Sequence, residues 1–231
     1  MALKDDLTNK VADIFGKQWT ERDGQVVPSV DDLRLEGNDA VKLESVVLYA
    51  DMSESTKLVD SQNAFFAAEV YKAYLHCASK IIKNQGGVIT AYDGDRVMAV
   101  FIGKSKNSSA AEAALRINHA RCNIINPAID DQYGSNAYTV KHTIGIDRSP
   151  LFVARTGVRN DNDLVWVGRA ANHAAKLCSL PNSHPIRITK EVYDCLNEQA
   201  KMSSTGKNMW EEVTWKDMGR TIYRSTWRRS V

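Results

Sequence analysis

The chain has 231 residues, 43% of them hydrophobic and 25% charged, which suits one soluble globular domain with additions and a real buried core. Lys and Arg total 30 against 28 Asp and Glu, a formal net charge of +2. That leaves no basic excess for nucleic acid, and Trp227-Arg228-Arg229 reads as a solvated end. Cys77, Cys122, Cys178 and Cys195 form no CxxC pair, Met1–Asp6 contains no apolar signal segment, and no apolar run approaches the ~20 residues of a membrane helix. These features argue against a zinc site, a membrane partner and a nucleic-acid partner, and a cytoplasmic location is expected.

Residues 5–20 place Leu7, Val11, Ile14, Phe15 and Trp19 at helical spacing, and residues 21–40 read as a polar linker. Residues 1–40 are therefore expected to be an N-terminal helix and linker ahead of a domain at 41–231. Ser45–Ala50 is a short apolar, β-branched run and predicts a buried strand. Asp51 to Thr56 is a polar loop, followed by a helical pattern through Phe65, Val70, Tyr74 and Ile81. Gly86-Gly87 ends that helix, and strands at 88–91 and 97–101 flank Asp93-Gly94-Asp95, a strong hairpin signal. A helix over 109–126, strands over 138–146 and 164–167, helices over 169–180 and 189–200, and a hairpin near 213–227 complete the order. Strands and helices mixed without strict alternation predict an α+β fold, with helices over a mainly antiparallel sheet.

Two acids stand out by position. Asp51 leaves a buried strand directly, and Asp95 lies at the tip of the next hairpin. If strand and hairpin are neighbours, the two carboxylates meet at one sheet edge, where they suit Mg²⁺ or Mn²⁺, hard ions that leave room for phosphates. Either Asp alone is as readily a helix N-cap or a turn residue. Ser53-Glu54-Ser55-Thr56 precedes a helix whose N–H groups could cradle a triphosphate, although without the aspartates simple capping by Ser or Thr is the preferred reading. In Gly168-Arg169-Ala170-Ala171-Asn172-His173-Ala174-Ala175-Lys176-Leu177, Gly168 is expected to allow a tight strand-to-helix turn. Asn172 and Lys176 share a helix face, an Asn to orient a ribose and a Lys to neutralise charge at phosphorus. An ordinary surface face reads the same way.

Together these segments resemble the class III adenylate and guanylate cyclases. Val47–Met52 with Ser55-Thr56 is similar to the first metal motif, Gly94–Phe101 to the second, and Gly168–Leu177 to the Gly-x-x-x-Asn-x-Ala-x-Arg-Leu helix, with Lys176 in place of Arg. The resemblance covers roughly 42–225 and implies a ferredoxin-like cyclase domain. It implies two metal ions on Asp51 and Asp95 with help from the Met52 carbonyl, and the loop before the helix is expected to place Ser53, Ser55 and Thr56 at the substrate. It also implies a homodimer in which Asn172 and Lys176 reach the site from the other subunit. Lys176 supplies a point charge where the family has a bidentate fork.

Ala91 and Val165 occupy the positions where purine-specific members of the family carry polar base-reading residues. Tyr49 puts a phenol two residues before Asp51, on the same strand face. The combination resembles the uridylate and cytidylate cyclases of the bacterial Pycsar antiphage systems. It implies UTP as the nucleoside triphosphate substrate, and a cyclic UMP product that acts on a separate effector. Cytidylate or adenylate cyclase activity, and a catalytically inactive nucleotide-binding module, are the rival readings. An RNA-binding ferredoxin-like domain would carry aromatics on its central strands, and Val97–Val100 has none.

Overall fold

The strand expected at 45–50 is the middle of a much longer one. In the computed structural model, which describes residues 2–135 and 137–231, β2 runs Asp39–Ser53, and Val46, Val47, Leu48 and Ala50 are wholly buried. Apolar residues on both faces mark a central strand covered on both sides. β1 (Thr20–Asp23) pairs parallel with its first residues. The hairpin β3 (Val88–Asp93) and β4 (Arg96–Phe101) joins β2 through antiparallel β4. β5 (Lys141–Val158) flanks the other side of β2, again antiparallel, and returns as β6 (Asp161–Val167). β7 (Ile186–Thr189), β8 (Glu211–Trp215) and β9 (Arg220–Ser225) extend the sheet in the order β3-β4-β2-β5-β7-β9-β8. Only β1–β2 and β5–β7 are parallel among these pairings, so the sheet is mainly antiparallel and the fold α+β, as expected.

Helices cover the two faces differently. α1 (Leu3–Gly16) precedes the sheet, and α2 (Ser55–Ser61) and α3 (Ala64–Asn84) follow β2. On one face Val46, Leu48, Ala50 and Met52 pack with Tyr74, Ala78 and Ile82 of α3 and with Ala110, Ala114 and Ile117 of α4 (Lys106–Ala120). On the other face α6 (Arg169–Cys178) lays Ala170, Ala171 and Ala174 against Val47, Met98, Leu151 and Val153. Its alanines permit a close approach, and the sheet answers with Gly145, where a Cβ would come within 2.1 Å of the Ala174 carbonyl oxygen.

Several elements depart from expectation. The helix expected at 109–126 runs longer and is interrupted by a π turn at Arg121–Ile125 before α5 (Asn126–Tyr133). Pro127 opens α5 and lacks an N–H, so the ladder changes register where a donor is missing. The helix expected at 189–200 is instead the end of β7 followed by two short helices, α7 (Lys190–Tyr193) and α8 (Glu198–Lys201). Asn197 separates them by capping α8, its Oδ1 accepting from the Ala200 N–H at 2.9 Å. The 21–40 stretch is partly ordered on the sheet through β1, a turn at Val30–Asp32 and buried Leu33. Buried Asp39 accepts from Arg22 Nη1 at 2.9 Å and from the Arg34 N–H at 3.2 Å. Trp19 lies beyond the end of α1, edge-on to Phe152 with ring centroids 5.0 Å apart. The apolar stripe Leu7, Val11, Ile14 and Phe15 faces solvent.

Candidate active site

The register of β2 and β4 assembles the acidic centre. Asp51 pairs with Arg96, and Asp95 precedes Arg96 in the two-residue turn of the β3–β4 hairpin, so the two carboxyls share one sheet end. The Asp51 carboxyl is pushed up to about 6, first by burial and then by the Asp95 charge, with Arg96 opposing both. Asp95 Oδ2 is buried and has no hydrogen-bond partner. A buried, unsatisfied carboxylate oxygen beside a second, half-buried carboxyl is costly unless a cation completes it.

That observation tests whether a divalent ion fits. Among the described residues no three His, Cys, Asp or Glu side chains form a metal cluster, so an ion at this sheet end would find two carboxylates, Asp51 and Asp95, and would take its other ligands from elsewhere. Such an incomplete oxygen set suits ions that finish their shell with water and phosphate oxygens. Met52 turns its side chain into the core on the α3 side.

The loop begins at Glu54, a left-handed residue with φ 65° and ψ 25°, and α2 follows without a side-chain cap. Ser55 is half-buried and Thr56 exposed. The Ser53 hydroxyl lies 3.1 Å from Thr143 Oγ1.

Tyr49 and Asp51 are on the α6 face of β2, two residues apart. The Tyr49 hydroxyl donates to Met98 Sδ at 3.0 Å, and the Arg96 guanidinium lies over its ring, 5.2 Å from the centroid. Burial raises the phenol's pKa, so it remains protonated. Ala91 packs into the same apolar cluster as Tyr49 and Met98. Val165 is exposed on β6, opposite Ala154.

Asn172 and Lys176 occupy the solvent face of α6, while Ala170, Ala171, Ala174 and Leu177 are buried behind them. Among the described residues neither side chain has a hydrogen-bond or ion-pair partner. The charges acting on Asp51 are Asp95, Arg96 and Asp93, and Lys176 instead bears on His173. Gly168 is the single residue between β6 and α6, the tight strand-to-helix turn expected of it. Its φ of 162° is ordinary extended backbone, and what it supplies is space, since a Cβ would meet Leu151 Cδ2 and the Pro150 carbonyl at 2.7 Å.

Two groups of residues escaped the sequence reading. Arg96 was legible in principle, because strand alternation from Met98 puts it on the Asp51 face. The other is a network under the start of α6. Fully buried Asp147 accepts from Thr189 Oγ1 at 2.6 Å and Arg169 Nε at 3.2 Å, and His173 Nδ1 is 3.3 Å away. Arg169 also donates to Glu191 at 3.0 Å and to the Arg148 carbonyl at 2.7 Å. The signal was a single acid, Asp147, directly after the apolar run Ile144-Gly145-Ile146 in β5.

Comparison with known proteins agrees with this geometry. The Adenylate and Guanylate cyclase catalytic domain matches residues 40–219. A protein named uridylate cyclase from Xanthomonas perforans is 52% identical over 229 residues, 99% of this chain and 98% of that one. Another of that name from Burkholderia cepacia is 49% identical over 232 residues, spanning all of both chains. Among solved structures, the adenylyl cyclase CyaB from P. aeruginosa superposes with a TM-score of 0.64 at 23% identity, over 82% of this chain and 97% of that one. Such a likeness carries the fold alone. With the domain match and the full-length relatives, it follows that the chain belongs to the adenylate and guanylate cyclase catalytic-domain family, the class III nucleotide cyclases.

Proposed function

We propose that this protein cyclises UTP to 3′,5′-cyclic UMP with release of diphosphate. The observation that carries the substrate choice is the apolar cluster of Tyr49, Met98 and Ala91 beside Asp51, supported by full-length relatives at 52% and 49% identity that bear the name uridylate cyclase. A pyrimidine leaves room that a purine would fill, and Tyr49 occupies room on the face that carries Asp51. The cluster offers no polar group at Ala91 to read a purine edge, and a site without such groups discriminates poorly in a purine's favour.

Asp51 and Asp95, with the Met52 carbonyl, would hold two divalent ions, Mg²⁺ or Mn²⁺. When bound, such ions lower the pKa of a coordinated hydroxyl and neutralise phosphate charge. The residues themselves do the positioning. Ser53, Ser55 and Thr56 border the triphosphate on the loop after Asp51. Asn172 orients the ribose so that its 3′-oxygen faces the α-phosphorus. Lys176 stabilises charge that grows as the 3′-oxygen attacks and the diphosphate leaves.

The outward direction of Asn172 and Lys176 supports a symmetric homodimer in which each chain's α6 completes the other chain's acidic centre. Among the described residues no helix is long and apolar enough to cross a membrane. The enzyme's product would act on a separate effector in antiphage defence.

The test is to incubate the purified chain with UTP and Mn²⁺ and weigh the products. Cyclic UMP and diphosphate in equal amounts, absent with Asp95→Ala, support the reading. Hydrolysis to UMP, or no turnover, contradicts it.

A further inference from the structure

Glu54 is one of two non-glycine residues with positive φ among the described residues, and it stands where the strand bearing Asp51 passes into α2. A side chain in that conformation persists where its surroundings hold it. Its carboxylate accepts from Lys141 Nζ at 3.0 Å, Lys57 Nζ at 3.2 Å and Asn182 Nδ2 at 3.4 Å.

The two lysines come from different elements and converge on this residue. Lys57 belongs to the first turn of α2. Lys141 begins β5, where the register pairs Ser53 with Lys141, Asp51 with Thr143 and Tyr49 with Gly145. Side chains alternate along strands, so Lys141 stands on the same sheet face as Asp51 and Tyr49, at the end where the loop opens. Both lysines are well exposed, and Glu54 is the one acceptor for either among the described residues. Arg96, the other cation near Asp51, is engaged with Asp93 at 2.6 Å and lies over Tyr49.

Charge balance gives the pair a purpose. A triphosphate and two carboxylates carry more negative charge than two divalent ions neutralise, and the outer phosphates lie farthest from Asp51. Cations for them must come from side chains at the loop. We propose that Lys57 and Lys141 grip the outer phosphates of the substrate, and that Glu54 is the resident anion that holds both until the triphosphate displaces it. This rests on the reading of the site as a nucleoside triphosphate cyclase. Two lysines already drawn together lose little freedom when phosphate replaces carboxylate, so the exchange favours binding. Glu54 is also a competitor. Its charge opposes loose binding of weaker anions and leaves the lysines to a ligand that outbids a single carboxylate.

The experiment is calorimetric titration of the full chain, with Mn²⁺, using 3′-deoxy-UTP, which cannot cyclise, and 3′-deoxy-UMP, which lacks the outer phosphates. Lys57→Ala/Lys141→Ala should weaken 3′-deoxy-UTP by about tenfold or more while 3′-deoxy-UMP stays within about twofold. Glu54→Gln, which keeps the shape of the side chain and removes the competing charge, should tighten 3′-deoxy-UTP several-fold. A folded double variant that binds the triphosphate like wild type, or loses both ligands equally, overturns the assignment while wild-type cyclisation of UTP leaves the parent reading standing. A wild-type chain that neither binds 3′-deoxy-UTP nor makes cyclic UMP overturns both.

Discussion

Asp51, on β2, lies in the field of Asp95, in the β3–β4 turn: the Asp95 charge is the second cause, after burial, of an Asp51 pKa of about 6. The pairing of Asp51 with Arg96 in the β2–β4 register produces this relationship. A carboxyl whose folded pKa exceeds its ordinary 3.8 binds more protons folded than unfolded between those values. Metal-free stability therefore falls as pH rises from about 4 through about 6. Asp51→Asn removes the penalty. It should be more stable than wild type at pH 8 by roughly 1–2 kcal/mol, after allowance for solvent screening of a half-buried group. Below about pH 4 the advantage should vanish. Urea titration at both pH values without metal checks this, and an equal advantage at both would contradict it.

The same linkage governs metal binding. An ion needs the ionised carboxylate, so Mn²⁺ affinity should rise through pH 5.5–7 with release of up to about one proton per site. Calorimetry in buffers of different ionisation enthalpy measures that release. No proton release at pH 5.5 would separate the ion from Asp51.

Asp51→Ala and Asp95→Ala should each abolish cyclisation without unfolding the chain, as the circular dichroism of each variant would show. Because Asn172 and Lys176 point outward on α6, an Asp51→Ala chain mixed with an Asn172→Ala chain should regain part of the activity, one of the two heterodimer sites being intact. Exchanged heterodimers as inactive as either parent would mean that each site is built within one chain.

Gly145 links the sheet to the helix bearing these residues. Because a Cβ at this position would stand 2.1 Å from the Ala174 carbonyl oxygen, Gly145→Ala must push α6 outward. Overpacking of this kind costs about 1–3 kcal/mol. Since Asn172 and Lys176 ride on α6, kcat should drop well beyond what the lost stability explains, at a temperature where the variant is folded. Wild-type kcat in the folded variant would show that small shifts of α6 do not matter.

Much of this was legible in the sequence, for physical reasons that vary by element. The Asp93-Gly94-Asp95 turn and the flanking apolar runs are local signals, so the hairpin and the placement of Asp95 followed from a few residues. β2 and β5 were read too short because their outer halves, such as Lys42 and Glu44 or Arg155 and Thr156, are polar wherever the strand faces solvent. Their pairing is a long-range property. The split of 189–200 into β7, α7 and α8 depends on Asn197 as a cap and on strand pairing with β5, and helical periodicity reports neither. The tight turn at Gly168 is legible locally, whereas the crowding by Leu151 and Pro150 that requires a glycine there cannot be read from one dimension. The Asp147 network joins residues from four elements. Its trace in the sequence is one acid directly after the apolar run Ile144-Gly145-Ile146.

Tyr49 carries the specificity account. Its hydroxyl is engaged with Met98 Sδ, so shape outweighs hydrogen bonding, and Tyr49→Phe should keep the preference for UTP within a few-fold. Tyr49→Ala opens the cluster shared with Ala91 and should lower UTP turnover relative to ATP by about tenfold or more. An unchanged UTP-to-ATP ratio in folded Tyr49→Ala would assign the ring to packing beneath the metal loop.

The most direct test of the central claim is a competition: the wild-type chain with Mn²⁺ and equal concentrations of UTP, CTP, ATP and GTP, each cyclic product resolved by mass. The account predicts cyclic UMP as the main product and its loss with Asp51→Ala. A dominant cyclic AMP or cyclic GMP peak would contradict the pyrimidine assignment, and four intact triphosphates would contradict the enzyme itself.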